Sequence, residues 1–404
     1  MYFTTGGIQM KFDFDEIIDR RGTNSMEYDV TDEYMAEFNW GPVPADFIPI
    51  DVADMDFRCA PCIRTALQKV VDFNLYGYCF THPSLHNGYY EAIIGWYARR
   101  HDWHVKREEI LYSAGTLTGI TAAIKAVSGY GDSILVTPPV YTPFYSTIRN
   151  ADRKVVKSHL LDNDGYYTVN WEDFEKKTAL AEVKAFLLCS PHNPVGRVWT
   201  ADELKRIYDI CTKNDVVVIA DEIHGDIVRR ETVFTPIGKI TDAQNLIVCA
   251  GASKSFNLAS LEASHLIIKD KALRCKTAEQ LHCNPTPFVL EAVKAAYNEG
   301  EEWFEQLREY LDENIDFVIA FLKENMPEVK VWRPEGTYLL WMDFSAYGLS
   351  DDELLDRCYN KAGVFVEQGR DFDEGGSPGY IRVCTSIPRI RLEEAFSRIC
   401  SQFK

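Results

Sequence analysis

The chain has 404 residues, 46% of them apolar, enough for a large core and two domains. Its formal net charge of −18 argues against nucleic acid or an anionic membrane as a partner, and no segment reads as a signal peptide or a bilayer span. The 11 cysteines are odd in number, and Cys189, Cys249 and Cys384 sit in apolar strands, as expected of reduced, buried thiols in a cytoplasmic protein.

Residues 1–10 precede a second methionine, Met10, and read as an extension without a structural role. Residues 11–50 are mixed in character, with two prolines in Gly41-Pro42-Val43-Pro44, and read as an arm. Residues 50–57 are extended and end in acidic side chains, so Asp54 and Asp56 are candidates for an acid/base pair. Cys59-Ala60-Pro61-Cys62 has redox-motif spacing, but no thioredoxin-type strand and helix follow, and no second cysteine pair could complete a zinc site. The pairs His82/His86 and His101/His104 lie near no carboxylate–histidine cluster, so no metal site is expected. A helix is predicted over 61–73, with Pro61 in a permitted first-turn position. Leu75-Tyr76-Gly77-Tyr78 reads locally as aromatic packing, and an amphipathic helix follows over 88–100.

Residues 109–113 form a strand that leads through Ala114-Gly115-Thr116 into a helix ending near 127. A glycine at such a turn exposes backbone N–H groups at a helix N-terminus, a ready phosphate site, although the glycine spacing is not that of a dinucleotide fingerprint. Another buried strand covers 133–137. Tyr141 after it could stack on an aromatic ring or pack in the core. Residues 153–160 and 166–169 read as strands joined by an Asp-Asn-Asp-Gly turn.

The next three stretches carry the chemistry. A buried strand over 185–189 runs into Ser190-Pro191-His192-Asn193-Pro194, where two prolines restrict the backbone around Asn193. Thr200-Ala201-Asp202-Glu203 is a capping box opening a helix to about 214. The strand over 216–220 then ends at Asp221, followed by Glu222-Ile223-His224. Strand, helix, strand implies a parallel pair, which places Asn193 and Asp221 at the same carboxyl edge of the sheet, where α/β sheets bind ligands. A third apolar run, 246–250, stops at Gly251 and a small-residue turn that carries Ser253 and Lys254. A lysine at the mouth of a buried strand has its amine near an apolar interior, which favours the neutral, nucleophilic form. Such an amine can hold pyridoxal phosphate as a Schiff base, an Asp can pair with the protonated pyridine nitrogen, and an Asn amide can reach the phenolate oxygen. Taken singly, each also reads blandly, as a solvated lysine, a turn-capping Asp and a tight Asn-Pro turn.

Further on, a strand over 263–269, a helix near 287–297 and a long helix over 301–325 precede a smaller unit. That unit has strands near 329–332 and 338–344, a helix near 351–361, a strand over 380–384 and a final helix from about 391. Glu374-Gly375-Gly376-Ser377-Pro378-Gly379 is a candidate lid hinge. Arg382 lies on the last apolar strand and needs an anionic partner, either a structural ion pair or a substrate carboxylate.

Ser-Pro-His-Asn-Pro-Val-Gly, Asp-Glu-Ile-His and Ser-Lys-Ser-Phe-Asn together resemble the fold-type I pyridoxal phosphate enzymes of the class I/II aminotransferase superfamily. Phe12-Asp13-Phe14 with Asp19-Arg20-Arg21-Gly22-Thr23, Val52-Ala53-Asp54-Met55-Asp56-Phe57 and Gly336-Thr337-Tyr338-Leu339-Leu340-Trp341 narrow the resemblance to MalY/PatB-type cystathionine β-lyases. The resemblance spans nearly the whole chain. It implies an α/β fold of the type I transferase class: a large domain (51–290) with a mostly parallel seven-stranded sheet, a smaller α/β domain (291–404) and an N-terminal arm (1–50) that forms part of the small domain. It implies pyridoxal 5'-phosphate held by Lys254, Asn193, Asp221, His224, Tyr141, Gly115, Thr116 and Ser253. Tyr78 would reach the phosphate of a neighbouring subunit in a homodimer, and Arg382 would clamp the amino-acid substrate's α-carboxylate. Residues 52–57 would line the pocket through their backbone rather than act as an acid/base pair. Glu262 stands where many transaminases carry a phosphate-binding arginine, and His224 where many carry a tyrosine; both fit the lyase group. The implied reaction is cleavage of a sulfur amino acid to a thiol, pyruvate and ammonia, with Lys254 as general base. An aminotransferase using the same residues is the alternative, and a regulatory protein retaining the cofactor is a third reading.

Overall fold

Alternation of buried side chains builds the centre of the molecule. In the computed structural model, which describes residues 12–37 and 41–403, seven strands form one sheet. They are β1 Ile110–Ala114, β2 Ser133–Val136, β3 Lys154–Lys157, β4 Val183–Cys189, β5 Val217–Asp221, β6 Leu246–Gly251 and β7 Ala263–Ile267. The order across the sheet is β1-β7-β6-β5-β4-β2-β3. Only β7 runs against its neighbours, so the sheet is mostly parallel, as expected. Leu187, Ile219 and Ile247 enter a core on one face, while Leu188, Val218 and Val248 enter a core on the other. Period-two alternation with both faces covered explains why these strands read as unbroken apolar runs. The expectation for residues 1–10 lies outside the described residues.

The helix Ala201–Lys213 connects β4 to β5. Its capping box is formed: Glu203 N donates to Thr200 Oγ1 at 3.2 Å and Thr200 N to Glu203 Oε2 at 2.8 Å. The predicted strand over 153–160 is shorter in the structure, and a separate short strand follows it. Lys154–Lys157 is the edge strand β3, and the hairpin instead pairs Leu161–Asn163 with Tyr166–Thr168. Pairing with β2 captures the first segment before the turn chemistry can extend it.

A second, antiparallel sheet has strands β8 Lys330–Val331, β9 Leu339–Asp343, β10 Glu367–Gln368 and β11 Tyr380–Cys384, in the order β8-β9-β11-β10. Helix Glu301–Asn325 joins the two cores. Trp303, Phe304, Leu307 and Leu311 pack into the core of the large sheet, whereas Ile315, Val318 and Leu322 pack into that of the small one. The arm also reaches the small unit, since Ile48–Pro49 pairs in parallel with Val364–Phe365. The proposed hinge loop is anchored where it begins: Lys157 pairs with Asp373 at 3.6 Å and with Glu374 at 3.0 Å.

Candidate active site

Three neighbouring strands run out at one edge of the sheet, β4 and β5 level with each other and β6 two residues further. Cys189 of β4 pairs with Asp221 of β5, and Asp221 with Cys249 of β6. The turns that follow bring Asn193, His224 and Lys254 to this one edge, as the strand order predicts. Asp221 is buried and accepts a hydrogen bond from Ile223 N at 3.1 Å. Burial pushes its carboxyl up to about 7, although the Lys254 charge pulls the other way. His224 is buried with no partner at Nδ1, and burial holds its pKa well below the usual histidine value, with Lys254 and Arg382 acting in the same direction. The ring is therefore neutral.

Lys254 Nζ donates to the Ala53 carbonyl at 2.6 Å. Burial lowers the amine's pKa, Asp54 opposes this and Arg382 reinforces it. The environment thus favours the neutral amine that the sequence argument required.

Gly115, Thr116 and Ser253 gather where β7 begins. Gly115 N donates to Glu262 O at 3.1 Å, Thr116 Oγ1 hydrogen-bonds Ser264 Oγ at 2.9 Å and Ser253 Oγ donates to Ala263 O at 3.1 Å. The helix Thr116–Val127 starts without a side-chain cap, and Gly115, at φ +83°, faces open space, with nothing within 4 Å of the position a Cβ would take. Uncapped N–H groups beside an open cradle suit a phosphate. Tyr141 packs edge-on against Phe144 at 5.5 Å. Burial pushes its phenol up to about 12, and the nearby Asp221 charge adds to this.

Arg382, 3% exposed, crosses from the small sheet to this edge. Nη1 donates to Asn193 Oδ1 at 3.2 Å and Nη2 to Asp51 O at 2.5 Å, while Nε is buried without a partner. Nη2 also pairs with Glu367, its cross-strand neighbour. Burial pushes Glu367 up to about 7 despite the arginine's charge. Arg382 therefore has a structural ion pair and still presents a free N–H.

Asp54 and Asp56 do not form an acid/base pair. Arg20 takes both, Asp54 at 2.7 Å and Asp56 at 2.8 Å, and reaches Glu27 at 3.1 Å. It is the backbone of this segment that meets Lys254, as the family resemblance implied. Tyr78 is fully exposed in the single chain and joins none of these contacts. Arg20, Glu367 and the Ala53 carbonyl escape a residue-by-residue reading, because their partners are far away in sequence. The one available hint was Arg20 within Asp19-Arg20-Arg21-Gly22-Thr23.

This set fits pyridoxal 5'-phosphate: an open cradle at an uncapped helix end, a buried carboxylate without a paired cation, an unpartnered imidazole nitrogen and a buried amine. Among the described residues no group of three His, Cys, Asp or Glu side chains is placed to hold a metal ion, and no helix is long and apolar enough to cross a membrane.

The family model for aminotransferase class I and II matches residues 45–399. Cystathionine beta-lyase PatB of Bacillus subtilis is 37% identical over 96% of this chain and 98% of its own length. Protein MalY of Escherichia coli is 29% identical over 97% and 99%. The structure of cystalysin from Treponema denticola, which contains pyridoxal 5'-phosphate, superposes with a TM-score of 0.90 at 31% identity over 97% of this chain and 99% of that one. The chain belongs to the class I and II aminotransferase family, a family of pyridoxal phosphate enzymes, in the branch of the PatB- and MalY-type cystathionine β-lyases.

Proposed function

We propose that this protein is a pyridoxal phosphate-dependent carbon–sulfur lyase, cleaving cystathionine or a related cysteine S-conjugate to a thiol, pyruvate and ammonia. The full-length similarity to PatB carries the reading of the reaction. Lys254, Asp221 and Asn193, converging at one sheet edge, carry the reading of the chemistry. The cofactor, when bound, supplies an electron sink for the substrate's α-carbon.

The residues divide the work as follows. Gly115, Thr116 and Ser253 would hold the phosphate, Tyr141 would pack on the ring, Asn193 and Asp221 would bind its oxygen and nitrogen, and His224 would stand by as a neutral group. Arg382 binds the substrate carboxylate. Lys254 would hold the cofactor's carbonyl carbon and is the candidate general base for the substrate's α-proton.

A homodimer completes the site, with Tyr78 reaching the partner's phosphate. The exposed apolar run that includes Phe73, Leu75, Tyr76 and Phe80 around Tyr78 supports this, because a second copy would cover it. The eleven free cysteines support a cytoplasmic location. The division into an arm (1–50), a large domain (51–290) and a small domain (291–404) is supported in outline by the two separate sheets, but the cores favour an inner boundary within Glu301–Asn325, because Val293, Tyr297, Trp303 and Leu311 pack in the large core and Ile315 onward in the small one.

The test is to mix the purified protein with L-cystathionine, without any keto acid, and to follow pyruvate and free thiol. Sustained release of both is expected. A single turnover that restarts only on adding a keto acid would establish the aminotransferase alternative instead.

A further inference from the structure

Lys254 and Tyr338 share one acceptor. Lys254 Nζ donates to the Ala53 carbonyl oxygen at 2.6 Å, and the Tyr338 hydroxyl donates to the same oxygen at 3.0 Å. Ala53 and Tyr338 are both buried, so water does not readily replace either donor. A carbonyl has two lone pairs and accepts both bonds at once.

The carbonyl cannot follow the lysine if the amine moves. Its segment is fixed on both sides: before Ala53, Arg382 Nη2 donates to Asp51 O at 2.5 Å, and after it several bonds hold residues 54–57. Arg20 holds the Asp54 and Asp56 carboxylates. The Asp54 carbonyl accepts from Ser386 Oγ at 2.5 Å, and Asn257 Nδ2 donates to Met55 O at 2.9 Å and to Phe57 O at 3.0 Å. Tyr338 is equally fixed: the Thr337 N–H donates to Ile227 O at 2.7 Å, Arg229 donates to Thr337 O at 2.6 Å, and the Tyr338 ring packs edge-on against His224 at 5.6 Å. The amine is the mobile member of the trio.

A buried carbonyl stripped of every donor is costly. With Lys254 as sole donor, each departure of the amine would orphan the Ala53 oxygen. We propose that Tyr338 is a positioning residue for Lys254: its hydroxyl keeps the Ala53 carbonyl satisfied, so that the amine is free to leave it for the substrate. The proposal rests on the reading of Lys254 as the general base.

Tyr338→Phe removes only the hydroxyl and keeps the ring in place. The cofactor-free full chain is acetylated at fixed pH with N-acetoxysuccinimide, and the rate at Lys254 is read by peptide mass spectrometry against exposed Lys69. In Tyr338→Phe, Lys254 is expected to react more slowly, by roughly tenfold, with Lys69 and the denaturation midpoint unchanged. The holoenzyme should lose kcat by a similar factor, with KM within about twofold. A residue that merely supports the local fold would, on losing its hydroxyl, loosen the segment and speed the labelling. Faster or unchanged labelling at Lys254 therefore overturns the proposal, whatever happens to kcat. Failure of the wild type to release pyruvate from cystathionine would count against the lyase reading and leave the labelling result intact.

Discussion

Arg382 and Asn193 are bonded across the two sheets, Nη1 to Oδ1 at 3.2 Å. One comes from the last strand of the small unit and the other from the turn after β4. The contact joins the residue proposed to bind substrate to one proposed to bind cofactor, so occupancy of one site is felt at the other. Arg382→Ala should weaken amino-acid binding by about 2–5 kcal/mol, because the guanidinium is buried and has no nearby substitute. Arg382→Lys should not restore it, since a point charge cannot reproduce the forked geometry. KM measured on both variants tests this; an unchanged value would remove Arg382 from the site.

Lys254→Ala should still bind pyridoxal phosphate but without a covalent link, and should lose turnover by about 10²–10⁴-fold, the range for loss of a general base. Mass spectrometry after borohydride reduction distinguishes the two forms. Retained cofactor mass on the variant, or normal turnover, would mean that another lysine carries the chemistry.

Arg20 pairs with Glu27, Asp54 and Asp56 at 2.7 to 3.1 Å. Burial pushes Glu27 up to about 9, with Asp54 and Asp56 adding to the effect and Arg20 restraining it. Arg20→Ala leaves these carboxyls without their counter-charge and should cost about 3 kcal/mol of stability. Arg58, paired with Glu16 on the exposed side of the same arm, is the control and should change the denaturation midpoint far less. Equal shifts in the two variants would mean that the Arg20 cluster is no more than a solvated surface pair.

How far the sequence discloses this site follows from where each residue's partners lie. Asn193, Asp221 and Lys254 each follow an apolar strand, and strand order alone places them on one edge. Gly115 is only weakly legible from its strand-to-helix turn, and its phosphate role comes from the family resemblance. Arg20 and Glu367 are illegible from local pattern, since only the closed fold brings Asp54 to one and Arg382 to the other. The same holds for the Ala53 carbonyl, which has no side-chain signature at all. Two short helices carry a local N-cap signal: Asn170 caps Trp171–Thr178 and Asp270 caps Lys271–Ala278, each by accepting a backbone N–H. The edge strand β3 is shorter than its composition implies because its end is set by pairing with β2.

Phe73 and Leu75, 75% and 63% exposed, flank the fully exposed Tyr78. If a second copy covers this run, Phe73→Asp should shift the protein towards monomer in sedimentation velocity. Tyr78→Phe should leave the assembly intact and weaken pyridoxal phosphate binding by roughly tenfold or more, the loss of one hydrogen bond to a charged group. A monomeric wild type would place the cofactor's phosphate entirely within one chain.

Asp221 gives the stability of the cofactor-free protein a definite pH dependence. Its carboxyl ionises near 3.8 when unfolded but near 7 when buried in the fold. Between those values the unfolded chain has released the proton and the folded chain has kept it, so raising the pH favours unfolding. Glu222, which burial pushes up to about 8, acts with the same sign, whereas the buried neutral His224 acts oppositely at lower pH. Asp221→Asn cancels only the first contribution. The variant should therefore gain on the wild type as pH rises from 4 to 7, by roughly 4 kcal/mol at most, and hold that gain above pH 7. Denaturant unfolding of both proteins across this range measures the difference. Saturating pyridoxal phosphate should shrink it, because the carboxylate then has a cationic partner and no longer resists ionisation. Parallel curves without cofactor would mean that Asp221 is already ionised in the empty site, and that its charge is balanced by Lys254 rather than held in reserve for the ring.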